Sequence, residues 1–154
     1  VRNGNVSIVF VPYYLDGHDP LFGMTYYDLL IGMDMTVFPS YYEPWGYTPL
    51  ESVAFHVPTI TTSLAGFGLW AAEQKMDALA PVQVLRRTDS NYDEVVNGIA
   101  ESLFCFAQYS IEQVENMRKG AAAIAKKAEW KHFFKYYRKA YDIAIKKTIK
   151  RNKK

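Results

Sequence analysis

An apolar strand, a polar turn and a helix start lie end to end between residues 35 and 56, and this constrains the fold most. Met35-Thr36-Val37-Phe38 has the length and composition of a buried strand. Residues 39–51 then read Pro-Ser-Tyr-Tyr-Glu-Pro-Trp-Gly-Tyr-Thr-Pro-Leu-Glu. Pro and Gly end the strand, and residues 49–56 carry a helical pattern. Thr48 is placed to cap that helix, with Pro49 at its first position and Glu51 at capping-box spacing. A strand running through a Gly turn into a helix start presents free backbone N–H groups, and anions bind at such places. Capping accounts for Glu51. It does not account for Glu43, eight positions earlier, nor for Tyr41, Tyr42, Trp45 and Tyr47 crowding one turn. Those rings suit either a core or the walls of a sugar or base site.

The same alternation predicts the rest of the first part. Strands are expected at residues 6–11, 35–39, 58–62 and 82–85, with helices at 25–33 and 69–78. Thr25 caps the first of these helices, with Leu29, Leu30 and Met33 turned inward. Short apolar strands alternating with helices indicate a parallel sheet, so the fold class is α/β and Rossmann-like. From residue 92 onward three helices are expected, at 92–109, 110–127 and 129–149. Ser110 and Gln113 form a capping pair for the second. In the third, Trp130, Phe133, Phe134, Tyr137 and Tyr141 are read as packing on the sheet or on an absent neighbour. Residues 1–91 thus form the Rossmann-like part. Residues 92–154 form closing helices of the same domain and end in a basic tail, where six of the last nine residues are Lys or Arg.

Composition bounds the function. The chain has 154 residues, 49% of them hydrophobic, enough for one domain with a sizeable core. A formal charge of +2 gives no reason to expect a nucleic-acid partner. No apolar run reaches the roughly 20 residues that span a bilayer, so no membrane is expected and the cytoplasm is the expected compartment. Cys105 is the only cysteine; its apolar neighbours predict a buried thiol. His18, His56 and His132 lack ligand spacing, so neither metal nor cofactor is expected. The absence of an initiator Met and the start before an apolar run suggest an excised fragment. Homo-oligomerisation is left open.

The run Ser40-Tyr41-Tyr42-Glu43-Pro44-Trp45-Gly46-Tyr47-Thr48-Pro49, followed by Glu51, resembles the signature of glycogen synthases of the animal and fungal type. Val57-Pro58-Thr59-Ile60-Thr61-Thr62, Ala65-Gly66-Phe67-Gly68 and Asp19-Pro20-Leu21-Phe22-Gly23-Met24 extend the resemblance. It implies the donor-binding C-terminal domain of a retaining GT-B glycosyltransferase, with UDP-glucose or ADP-glucose as donor and an α-glucan acceptor held by a missing N-terminal domain. It also implies that the Rossmann-like residues 1–91 are the nucleotide-sugar-binding part. It implies a catalytic role for Glu43 beside the donor glucose. Gly46, Tyr47 and Thr48 would meet the phosphates and Glu51 the ribose, with Tyr26 and Tyr14 flanking the base. The family's diphosphate-binding Arg and Lys would lie upstream of residue 1, and Arg86 and Arg87 are no substitute for them.

One departure stands out. Eukaryotic members carry an Arg-rich helix that senses a sugar phosphate. The matching stretch here, residues 110–119, holds one Arg and two Glu, too few guanidinium forks for that site. This suggests a bacterial or archaeal-type member. An alternative of a different class is a non-catalytic Rossmann-like module that binds a nucleotide sugar or another phosphate ligand.

Overall fold

The computed structural model describes residues 2–76 and 79–152. Asp77 and Ala78, the expected end of the helix at 69–78, lie outside the described residues, as do Lys153 and Lys154 of the basic tail. The chain divides into two compact units, Val1–Asp34 and Met35–Lys154.

In the first unit, β1 (Arg2–Asn3) pairs antiparallel with β2 (Val6–Ser7). The expectation of a buried parallel strand over residues 6–11 is therefore corrected. Among the described residues the paired strand is Val6–Ser7, and Ile8, Val9 and Phe10 are exposed, Phe10 at 80%. A continuous apolar run specifies strand propensity but not a partner, and pairing is a non-local property. Further along, an isolated antiparallel bridge joins Asp16 to Thr25. Between them Asp19 Oδ1 accepts from the N–H groups of Leu21 (3.0 Å) and Phe22 (2.7 Å). The Phe22 bond is the main reason the Asp19 carboxyl is held below its ordinary range. Helix α1 (Tyr26–Ile31) starts at the expected cap, with Thr25 accepting from the Asp28 N–H, and buries Leu30.

The second unit is built on a three-stranded parallel sheet in the order β3-β4-β5, with β3 at Thr36–Val37, β4 at Thr59–Thr62 and β5 at Val82–Leu85. Thr36 pairs with Thr59, and Thr59 in turn with Val82. Three parallel strands are seen where four were expected. Helices α2 (Tyr47–Ala54) and α3 (Gly66–Ala72) make the crossovers between them, as parallel strands require. All four residues of β4 are buried, as suits a central strand covered on both faces. The core gathers Val53, Phe67, Ala71, Val82, Ala121 and Ile124.

Polar groups tie α2 to the sheet. Thr36 Oγ1 lies 2.6 Å from Ser52 Oγ and donates to Thr59 Oγ1 at 2.9 Å, and Ser52 Oγ donates to the Val57 carbonyl at 3.0 Å. Ser52 is fully buried. Ser52→Ala strands the Val57 carbonyl and loosens the threonine pair, so it is expected to cost about 1–3 kcal/mol in denaturant unfolding.

Helix α4 (Tyr92–Phe106) follows β5, then α5 (Ile111–Lys127) and α6 (Trp130–Asn152). The Ser110–Gln113 capping box forms in both directions. One expectation here is corrected. Cys105 is exposed, because Leu103 and Phe104 beside it also face outward; apolar neighbours in sequence do not make a buried face. Helix α6 buries no residue. Of its aromatics Phe133 reaches Trp45 and Trp70 (5.5 and 5.9 Å between ring centres), while Trp130, Phe134, Tyr137 and Tyr141 are exposed.

Candidate active site

The carboxyl ends of β3, β4 and β5 share one edge of the sheet, the edge where parallel α/β sheets hold their ligands. From β3 the chain runs through residues 38–46 into α2. Phe38 N–H donates to the Ile60 carbonyl at 2.8 Å, and Thr62 Oγ1 donates to the Ser40 carbonyl at 2.7 Å. Glu43 is then fixed through its main chain, as its N–H donates to Leu64 O at 3.1 Å and its carbonyl accepts from Gly66 N at 3.1 Å. Trp45 O accepts from Phe67 N at 2.6 Å. The turn therefore leans on the start of α3, and Gly66 makes that approach feasible. A Cβ there would stand 2.3 Å from the Pro44 carbonyl oxygen.

Helix α2 starts two residues earlier than a Thr48 cap requires. Gly46 is the N-cap, in the left-handed region at φ 105°, where a side chain is strained. A Cβ would also meet Pro49 Cγ at 3.2 Å. Thr48 and Pro49 thus become the second and third helical residues and Glu51 the fifth. The capping roles expected for Thr48 and Glu51 are corrected. Gly46 has no side chain to offer, so no side chain caps the first turn. Pro49 carries no N–H, which leaves those of Tyr47 and Thr48 at the helix mouth.

Glu43 and Glu51 are both half-buried. Among the described residues neither carboxylate has a hydrogen bond or ion pair. Two partly desolvated acceptors without partners thus flank an uncapped helix start. The four aromatics of the turn separate in role. Trp45 packs edge-on to Phe67 at 6.0 Å. Tyr42 and Tyr47 are exposed. Tyr47 lines a 370 Å³ cavity with Trp45, Leu50, Trp130, Phe133 and Tyr137. Tyr41 lies over a guanidinium that sequence reasoning set aside: Arg87 Cζ is 3.7 Å from its ring centre. The signal for Arg87 was its place just after a parallel strand.

Five of the expected site residues, Glu43, Gly46, Tyr47, Thr48 and Glu51, are brought together on this turn and helix start. Tyr14 and Tyr26 belong to the first unit. There Tyr26 N–H donates to the Leu15 carbonyl at 2.9 Å, next in sequence to Tyr14. Tyr26 is half-buried and Tyr14 is 95% exposed. Among the described residues no group of three or more His, Cys, Asp or Glu is placed to hold a metal, and no helix is long and apolar enough to cross a membrane.

The glycogen synthase family model matches residues 1–153. The chain is 35% identical over 144 residues to a glycogen [starch] synthase of Neurospora crassa, covering 93% of this chain and 20% of that protein. It is 31% identical over 149 residues to the liver glycogen [starch] synthase of Rattus norvegicus (96% and 21%), and 33% identical over 141 residues to a glycogen [starch] synthase of Caenorhabditis elegans (91% and 21%). The chain therefore spans about a fifth of the length of the curated relatives it matches. Fungal and animal relatives sit poorly with the bacterial or archaeal origin that the Arg-poor helix suggested. That range takes in the strand, the Glu43 turn and the Gly46-capped helix: the chain belongs to the glycogen synthase family.

Proposed function

We propose that this chain is the donor-binding part of a retaining glycosyltransferase that moves glucose from a nucleotide sugar, UDP-glucose foremost and ADP-glucose otherwise, onto a growing α-1,4-glucan. The observation that carries the proposal is the pair of partnerless, half-buried carboxylates on either side of an uncapped helix start. The N–H groups of Tyr47 and Thr48, with the positive end of the α2 dipole, suit a diphosphate that gains charge as it leaves. Glu51, one turn in, suits the ribose diol. Glu43 follows the carboxyl end of β3 and suits the sugar hydroxyls or a developing positive charge at the anomeric carbon. Nothing here requires Glu43 as a nucleophile. In glycosyl transfer with retention the departing phosphate can assist attack on its own face.

The testing experiment offers labelled UDP-glucose and ADP-glucose separately to the full-length protein with glycogen. The reading expects label in the glucan from at least one donor. Donor binding without incorporation would instead identify a non-catalytic nucleotide-sugar module.

Glu51→Gln separates its two roles. With Gly46 as cap, Glu51 holds no capping bond to lose, so thermal stability should stay at the wild-type value. UDP affinity, measured by calorimetry on the full-length protein, should fall by about 1.5–3 kcal/mol, the worth of a hydrogen bond to a charged group. Unchanged affinity would remove Glu51 from the donor site.

A further inference from the structure

We propose that Arg87 is a positioning residue that holds the Glu43 loop from beneath, an inference that rests on reading that loop as the donor site. Arg87 leaves the carboxyl end of β5, and its N–H donates to Ser63 Oγ at 3.0 Å, which fixes its main chain to the end of β4. Its side chain is only 6% exposed. Nη1 makes a long 3.5 Å contact with the Pro39 carbonyl, Cζ lies 3.7 Å from the Tyr41 ring centre, and the buried Nε has no hydrogen-bond partner among the described residues. No carboxylate pairs with it among the described residues.

A guanidinium is always charged, and an unpaired buried charge is worse for stability than an apolar side chain of similar volume. Stability alone therefore does not explain an arginine here. What the guanidinium touches is one loop at two points, Pro39 and Tyr41, the second only two residues before Glu43. The loop is tied at its two ends: Ser40 N–H donates to Phe38 O at 2.9 Å and Ser40 O accepts from Thr62 Oγ1 at 2.7 Å, while Glu43 N–H donates to Leu64 O and Glu43 O accepts from Gly66 N–H, both at 3.1 Å. Between these ends, among the described residues, no backbone–backbone hydrogen bond is made by Tyr41 or Tyr42. Tyr41 is 57% exposed, so its outer face is open and the cation beneath is its anchor. A flat stack on an aromatic ring is a property of Arg that Lys does not reproduce. With the stack broken, Tyr41 and Tyr42 relax and the Glu43 side chain that follows them shifts off the anomeric carbon. A displacement of about 1 Å at a reacting centre can cost about 10²-fold in rate. Donor binding at the α2 start is left alone.

The test uses steady-state transfer by the full-length protein carrying Tyr41→Leu, Tyr41→Phe, Arg87→Met, Arg87→Lys and the double change Tyr41→Leu/Arg87→Met. Expected is a kcat loss of up to about 10²-fold in Tyr41→Leu and Arg87→Met at unchanged donor KM. Tyr41→Phe should recover that loss, and Arg87→Lys should not. The double variant should be no slower than either single one, because both remove the same contact. Wild-type kcat in a folded Tyr41→Leu protein, or multiplicative losses in the double variant, would overturn the proposal. Should Arg87→Met fail to fold, the Tyr41 pair decides, since that ring is exposed. Should the wild type transfer no glucose, the donor reading fails separately. Amide hydrogen exchange of Glu43 then decides the positioning role: faster exchange in Tyr41→Leu supports it and an unchanged rate defeats it.

Discussion

In the full-length protein Glu43→Ala should lower kcat for glucosyl transfer by about 10²–10³-fold, the usual cost of losing one electrostatic stabiliser. The fold should survive, because every hydrogen bond recorded for Glu43 runs through its main chain, to Leu64 and Gly66. Its side chain makes none among the described residues. Thermal unfolding of the variant should therefore match the wild type while turnover collapses. A folded variant with near wild-type kcat would make Glu43 a spacer in the turn.

Gly66→Ala should damage both stability and turnover, though Gly66 touches no proposed ligand. The added Cβ would lie 2.3 Å from the Pro44 carbonyl oxygen and 3.2 Å from Trp45 Cα, and both neighbours are backbone. Neither can swing aside as a flexible side chain would, so the turn must shift bodily. That shift strains the Gly66–Glu43 and Phe67–Trp45 bonds that hold the turn to α3. Overpacking of this kind costs typically about 1–3 kcal/mol, readable as a lowered denaturation midpoint, and kcat should fall with it because Glu43 moves. Unchanged stability and turnover would mean that α3 and the turn are not coupled as described.

The strand, turn and helix around Glu43 were legible because their signals are local: an apolar run, a Gly-Pro turn and a helical pattern within some twenty residues. So was the Ser110–Gln113 capping box, a three-residue spacing with a defined pair of bonds. Errors arose where the outcome depends on distant chain. Residues 6–11 carry strand propensity, yet among the described residues the strand is Val6–Ser7, paired with Arg2–Asn3 rather than within a parallel sheet. The start of α2 was misplaced because Thr48 followed by Pro49 is a good local cap signal. The structure instead uses the left-handed freedom of Gly46, which the approach of Pro49 and Phe67 makes necessary. Arg87 was set aside because nothing in sequence ties it to Tyr41, 46 residues earlier. Parallel pairing of β3, β4 and β5 brings them together.

A crystal structure of the full-length protein with UDP tests the central claim most directly. The donor reading predicts the diphosphate against the N–H groups of Tyr47 and Thr48 at the α2 start, with the ribose hydroxyls on Glu51 and the open side of the diphosphate facing Glu43. UDP bound elsewhere, with the α2 start and both carboxylates untouched, would contradict it.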